Sequence, residues 1–173
     1  MELGSVYFWT DTVKDWRHVF RDKNYIRIVL SSLKNLVERG KVRVYGFVIM
    51  PNHLHLIWEM LNLNGKEFPS ASFNKFTSHV IIKGISCSDP NALKAFRVGE
   101  GDRNFRLWQR DPLAILLDTR EKLEQKLNYM HLNPLQSHWN LAKDPVDYQW
   151  SSARFYEEGV DEFGFFTHYM DRF

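Results

Sequence analysis

Hydrophobic positions along the chain fall into a short β-type run, a helical stripe, and two further β-type runs before the first long polar break. Val6-Tyr7-Phe8-Trp9-Thr10 is rich in strand-favouring residues and predicts a first strand. After a loop to Asn24, which is placed to cap a helix, Ile26, Val29, Leu30, Leu33, Leu36 and Val37 recur at helical spacing and Gly40 ends the pattern. Val42 to Met50 is β-branched and aromatic, Pro51-Asn52 marks a turn, and His53 to Met60 alternates, so two strands joined tightly are expected.

Farther along, Phe73, Phe76, Val80 and Ile81 predict a second helix capped by Ser70 or Ser72. Asp89-Pro90 opens a short helix through Phe96 that Gly99 closes, and Phe105 to Gln109 has strand character. Asp118 with Glu121 resembles a capping box, ahead of a final helix carrying Leu123, Leu127 and Met130 and ended by Pro134. The order β-α-β-β-α-β-α predicts an α+β fold: a ferredoxin-like βαββαβ antiparallel sheet, helices on one face, and an added C-terminal helix.

Composition narrows the class. With 173 residues, 44% hydrophobic and 25% charged, the chain suits a single domain spanning 1–173 with a proper core. The lone Cys87 forms no intramolecular disulfide; no secretory signal or membrane-length apolar run is seen, and a cytoplasmic location is expected. The net charge of +2 conceals an asymmetry: Asp11–Arg43 carries a net +5, Val44–Lys143 a net +3 and Asp144–Phe173 a net −5. A basic face for a polyanion with an acidic end kept apart would produce this distribution.

Three features carry candidate chemistry. In His53-Leu54-His55 the two imidazoles project from one strand face and could share a divalent metal, while Leu54 and Leu56 point into a core; two satisfied or exposed histidines are the plainer reading. On the last helix Lys122, Lys126, Tyr129 and Asn133 lie away from the apolar stripe. Tyr129 is there either a packing residue or a nucleophile, with Asn133 offering an amide oxygen as a third ligand and Lys126 favouring a phosphate or the ionised phenol. Lys14, Trp16, Arg17, His18, Arg21 and Lys23, then Arg103, Arg106, Trp108 and Arg110, combine cations with aromatic planes, as single-stranded nucleic acid requires; an ordinary solvated face with core tryptophans would read the same way. Gly99-Glu100-Gly101 is too short and too acidic for a phosphate-binding loop.

Three blocks resemble a known family. Tyr45 to Ile57, YGFVIMPNHLHLI, is similar to the H-U-H block (U a large apolar residue) of the single-tyrosine transposases; Lys126 to Leu135, KLNYMHLNPL, resembles their nucleophile helix; and Asp147 to Tyr156, DYQWSSARFY, resembles the segment that follows in the REP-associated branch. The resemblance covers residues 5 to 158, and the tail from Asp161 to Phe173 matches no motif.

The resemblance implies a metal-dependent strand transferase on single-stranded, hairpin-forming DNA. His53 and His55 would hold Mg²⁺ or Mn²⁺ with Asn133 as third ligand, and Tyr129 would form a 5′-phosphotyrosine and free a 3′-OH. Lys14, Arg17, Arg21, Lys23, Arg106, Trp108, Arg110 and Lys126 are the expected DNA contacts. Transposing members carry Gln where this chain has Asn133, one methylene shorter. Homodimer and monomer both occur in the family, and both stay open here, as do a non-catalytic binder of hairpin repeats and a phosphodiesterase in which water attacks.

Overall fold

A computed structural model of the chain describes residues 1–100 and 103–173; Gly101, Asp102 and the side chains of Glu100 and Arg103 lie outside the description, and with them the expectations for Arg103 and for Gly99-Glu100-Gly101. In chain order the elements are β1 (Val6–Thr12), α1 (Lys23–Glu38), β2 (Val42–Met50), β3 (His53–Met60), α2 (Pro69–Ser88), α3 (Pro90–Leu93), β4 (Arg97–Glu100), β5 (Arg103–Phe105), β6 (Leu113–Leu116), α4 (Arg120–Leu132) and α5 (Ala153–Glu157). The main sheet has the order β2-β3-β1-β6 with every neighbouring pair antiparallel, and β4-β5 form a separate hairpin. This is the expected α+β arrangement.

Strand alternation sorts side chains between two cores. On one face Trp9, Val44, Phe47, Ile49, Leu54, Leu56 and Trp58 pack with Ile26, Val29 and Leu33 of α1 and Phe73 and Ile81 of α2. On the other, Phe8, Tyr45, Val48, Met50 and Ile57 meet Leu123, Leu127 and Met130 of α4. The final helix therefore covers the face opposite the first two. Its approach needs Gly46, at a bulge of β2: a Cβ there would stand 2.7 Å from Leu127 Cδ1.

The fourth lane of the sheet departs from expectation. The regular strand is β6, downstream of the segment 105–109. That segment nevertheless continues the same lane: Lys14 N donates to Leu107 O at 2.7 Å, Gln109 N donates to Thr12 O at 2.7 Å, and Trp108 sits opposite Val13. Three steps along β1, from Thr10 to Val13, are matched by five on the partner, from Leu113 back to Trp108. The excess falls at Arg110–Pro112, where Asp111 has φ 57°. Leu107 and Trp108 are both buried in succession, and the edge strand β6 exposes Leu113 and Leu116, so neither piece shows clean alternation.

Helix starts differ from expectation by short shifts. Asp22, not Asn24, caps α1 by accepting from Asn24 N; Thr119, not Asp118, caps α4 by accepting from Lys122 N, while Asp118 pairs with Lys122 Nζ at 2.6 Å. Helix α2 begins at Pro69 after Phe68 without a side-chain cap, so Ser70 and Ser72 fall inside its first turn and neither is the cap. Asp89 caps α3 as expected, through Asn91 N and Ala92 N, but Gly99 lies within β4.

The acidic tail is a strap. Thr167 N donates to Val44 O and Ile49 N to Trp150 O, so residues after α4 satisfy the outer edge of β2 and leave β6 as the open one. Phe163, Phe165 and Phe166 pack on Phe47, and Tyr169 crosses to the other face to donate its hydroxyl to Glu124 of α4.

Candidate nucleic-acid processing site

At the start of β3, alternation sends Leu54 and Leu56 into the α1/α2 core and turns His53 and His55 to the α4 face. Their ring centroids are 4.7 Å apart. The two rings line a cleft of about 480 Å³ with Thr10 and Thr12 of β1, Trp16, Asn52, Tyr129 and Asn133, closed by Gln136, His138 and Trp139.

Each imidazole is held from behind. Asn52 Oδ1 lies 2.7 Å from His53 Nδ1, and because an amide oxygen only accepts, Nδ1 carries the proton and Nε2 the lone pair. His53 Nε2 faces the Asn133 amide at 3.5 Å. Antiparallel register places Thr10 opposite His55, and its hydroxyl lies 2.7 Å from His55 Nδ1. His55 Nε2 is buried without a hydrogen-bond partner. A buried lone polar atom of this kind is costly unless a ligand completes it.

Burial pushes the His53 imidazole down to about 4, with repulsion from His138 adding to it. Burial also takes His55 down to about 3, assisted by His53 and Lys126. Both rings are neutral at pH 7, the state in which imidazole is a metal ligand. Two ring nitrogens and the Asn133 amide, whose oxygen a half-turn would present, could hold one divalent ion. Among the described residues no group of three His, Cys, Asp or Glu is placed to hold a metal ion by itself, here or at any other point.

Tyr129 stands at the cleft on the exposed side of α4, 49% exposed, while Leu127 and Met130 on either side of it in sequence are buried. Its ring is 5.6 Å from His55 and 6.1 Å from Phe8. Lys126 Nζ lies 5.2 Å from the Phe8 ring centre and 5.7 Å from that of Tyr129, placing a cation beside the phenol. Lys122 is turned away to Asp118. Histidines, amide and tyrosine all come from one chain.

The expected DNA-contacting residues divide. Arg17 and Arg21 are exposed along a cleft of about 380 Å³ against the end of α2, Arg17 lying over the Phe96 ring, and Lys23 is exposed at the first turn of α1. Lys14 is tied to Asp15 and to Ala95 O. Arg106 and Arg110 line a larger cleft, about 630 Å³, with Lys75 and His79 of α2. Pairing of residues 107–109 with the end of β1 brings these two basic stretches, distant in sequence, side by side. Trp108 is a correction: it is 3% exposed, its indole donates to Thr77 Oγ1 at 2.9 Å, and it packs on Phe20 and Phe73, so it is a core residue unable to stack on a base.

Sequence reasoning missed Thr10, Asn52, His138 and Trp139 as members of the cleft. Asn52 stood beside His53 in the turn, and its side-chain oxygen was the available signal; Thr10 depended on register. The tail from Asp161 to Phe173 contributes nothing to the cleft lining.

No protein-family model matches the chain, and no curated protein matches it. A solved structure of a REP-associated tyrosine transposase bound to a REP hairpin shares its fold, with a TM-score of 0.63 over 94% of this chain and 85% of that one at 18% identity.

Proposed function

We propose that the chain nicks and rejoins single-stranded DNA at hairpin-forming sequences, with Tyr129 as nucleophile and His53, His55 and Asn133 as the ligands of Mg²⁺ or Mn²⁺. One observation carries the reading: two neutral imidazoles, one with an orphaned buried Nε2, converge in a cleft whose opposite wall presents an exposed tyrosine. The fold shared with a transposase bound to a hairpin supports it, as do the three sequence blocks.

Held by His53, His55 and Asn133, such an ion would supply Lewis-acid polarisation of the scissile phosphate and stabilisation of its developing charge. The protein's own groups do the rest. Asn52 and Thr10 hold the imidazoles from behind. Lys126 sets a cation beside the Tyr129 ring, where it faces the negative charge of a phosphate brought to the phenol. The phenolic oxygen forms a bond to phosphorus as the bond to the 3′ oxygen breaks, leaving a 5′-phosphotyrosine; the proton lost by the phenol is balanced by one taken up on the departing 3′ oxygen, which becomes the free 3′-OH. Reversal with another 3′-OH joins strands without an external energy source, because one phosphodiester replaces another.

A second reading has its own observation. The donor set is uncharged and lacks a carboxylate among the described residues, which would also suit a hairpin-binding protein without catalysis. Incubation of the chain with DNA hairpins bearing unpaired flanks, in Mg²⁺ or Mn²⁺, followed by denaturing electrophoresis and mass spectrometry, separates the two. The expected result is a covalent adduct on Tyr129 that is lost in Tyr129→Phe while hairpin binding persists. Tight binding with no adduct in either metal overturns the catalytic reading in favour of the binder, and cleavage retained by Tyr129→Phe overturns the nucleophile.

A further inference from the structure

Trp16 is 65% exposed, the most exposed large apolar side chain among the described residues, and it lines the histidine cleft. An indole left in water is ordinary on a mobile loop, but the backbone that carries this one is held. Asp15 and Trp16 both adopt left-handed backbone conformations, φ 56° and 52°, which side chains other than glycine enter only when the surroundings dictate it.

The surroundings do dictate it. Trp16 N donates to Val13 O at 2.9 Å, and Val13 is fully buried at the end of β1. Asn52 Nδ2 donates to Trp16 O at 3.3 Å. Lys14 Nζ clamps the turn from the other side, reaching Asp15 Oδ2 at 2.6 Å and Ala95 O at 2.9 Å. Asn52 is the same residue whose Oδ1 orients His53. One amide therefore holds both the histidine ring and the backbone that carries the exposed indole.

From this geometry we infer that Trp16 is a stacking platform for an unpaired nucleobase next to the phosphate held at His53 and His55. The inference rests on the proposed DNA function and adds to it a base-binding subsite. A phosphate at the histidines brings its own flanking bases to the cleft, where an exposed indole on a fixed backbone shares the lining with Thr12, Asn52 and Gln136. Stacking recovers the hydration cost of the exposed indole and of the base face together, and any base has such a face. Arg17, exposed and next in sequence, supplies positive charge for the backbone. A protein partner would want a broader apolar surface than one indole amid polar groups.

The test uses the full chain as Tyr129→Phe with Mn²⁺ present, so that the proposed metal site is filled and binding is read without cleavage, and DNA hairpins with unpaired flanks labelled for fluorescence anisotropy. Trp16→Ala weakens binding about 5- to 150-fold, Trp16→Phe keeps most of the affinity, and both retain the wild-type melting temperature because the side chain lies outside the core. An abasic residue scanned through the flank costs a similar factor at one position, and that penalty disappears in Trp16→Ala. Unchanged affinity in Trp16→Ala, or an abasic profile the same in both proteins, overturns the platform alone. Failure of the chain with Trp16 intact to bind any hairpin overturns the platform and the DNA function together.

Discussion

Asn52 places its Oδ1 2.7 Å from His53 Nδ1 while its Nδ2 reaches the Trp16 carbonyl at 3.3 Å. Thr10 does the corresponding service for His55 at 2.7 Å. Removing such a partner frees the ring and its tautomer, and effects of about 10- to 100-fold on metal affinity are usual. Asn52→Ala and Thr10→Val are each expected to raise the Mn²⁺ concentration needed for half-maximal cleavage by that factor, with the fold intact by circular dichroism. Wild-type metal dependence in both variants would remove the imidazoles from the ligand set.

The candidate ligands are neutral: burial holds His53 and His55 uncharged, and Asn133 is an amide. A divalent ion bound there would depend on a DNA phosphate for charge balance. Mn²⁺ affinity, measured by titration calorimetry with Tyr129→Phe to prevent cleavage, is expected to increase about 5- to 150-fold when a hairpin oligonucleotide is present. Equal affinity with and without DNA would show that the protein alone satisfies the ion.

Gly46 is where α4 touches the sheet, with Leu127 Cδ1 2.7 Å and Met130 Cε 3.1 Å from the place a Cβ would occupy. Gly46→Ala must displace the Leu127 and Met130 side chains by which α4 seats on the sheet, an overpacking change of about 1–3 kcal/mol. Urea unfolding should record that loss, and cleavage should fall more than hairpin binding because Tyr129 lies between the two disturbed side chains on α4. A variant with wild-type stability and cleavage would refute the contact.

Asp11 is buried, and burial raises its carboxyl to about 7 despite hydrogen bonds from Asn74 Nδ2 and Thr12 N. A group whose folded-state value exceeds its unfolded one favours folding at low pH and loses that advantage as pH rises, here between about 4 and 7. Relative to Asp11→Asn, which cannot titrate, the wild type should lose about 2–3 kcal/mol of stability between pH 5 and pH 8, at about 1.4 kcal/mol per unit. The histidines are common to both proteins and cancel in the difference. Parallel pH courses in urea denaturation would contradict the assignment.

Much of this was legible without coordinates, because period-2 and period-3.6 patterns are local properties of the chain. Alternation alone separates His53 and His55 from Leu54 and Leu56, and the helical stripe of Leu123, Leu127 and Met130 alone leaves Tyr129 outward. The same local reading misjudged the fourth strand, whose lane is split by a five-against-three mismatch that no pattern within 105–116 reveals. It also misplaced Trp108, since an indole beside arginines looks the same in sequence whether it faces water or Thr77.

What the tertiary structure decided is everything that depends on register and on packing between distant segments. Thr10 meets His55 only because β1 and β3 align in that register, and Lys126 and Tyr129 meet Phe8 and His55 only because Gly46 lets α4 settle on the second face of the sheet. The charge asymmetry of the sequence shows that a basic surface is available, yet its shape follows from pairing between 12–14 and 107–109. Side-chain direction is set by neighbours along the chain; contact is set by closing long loops, and the sequence pattern carries no local trace of which closure wins.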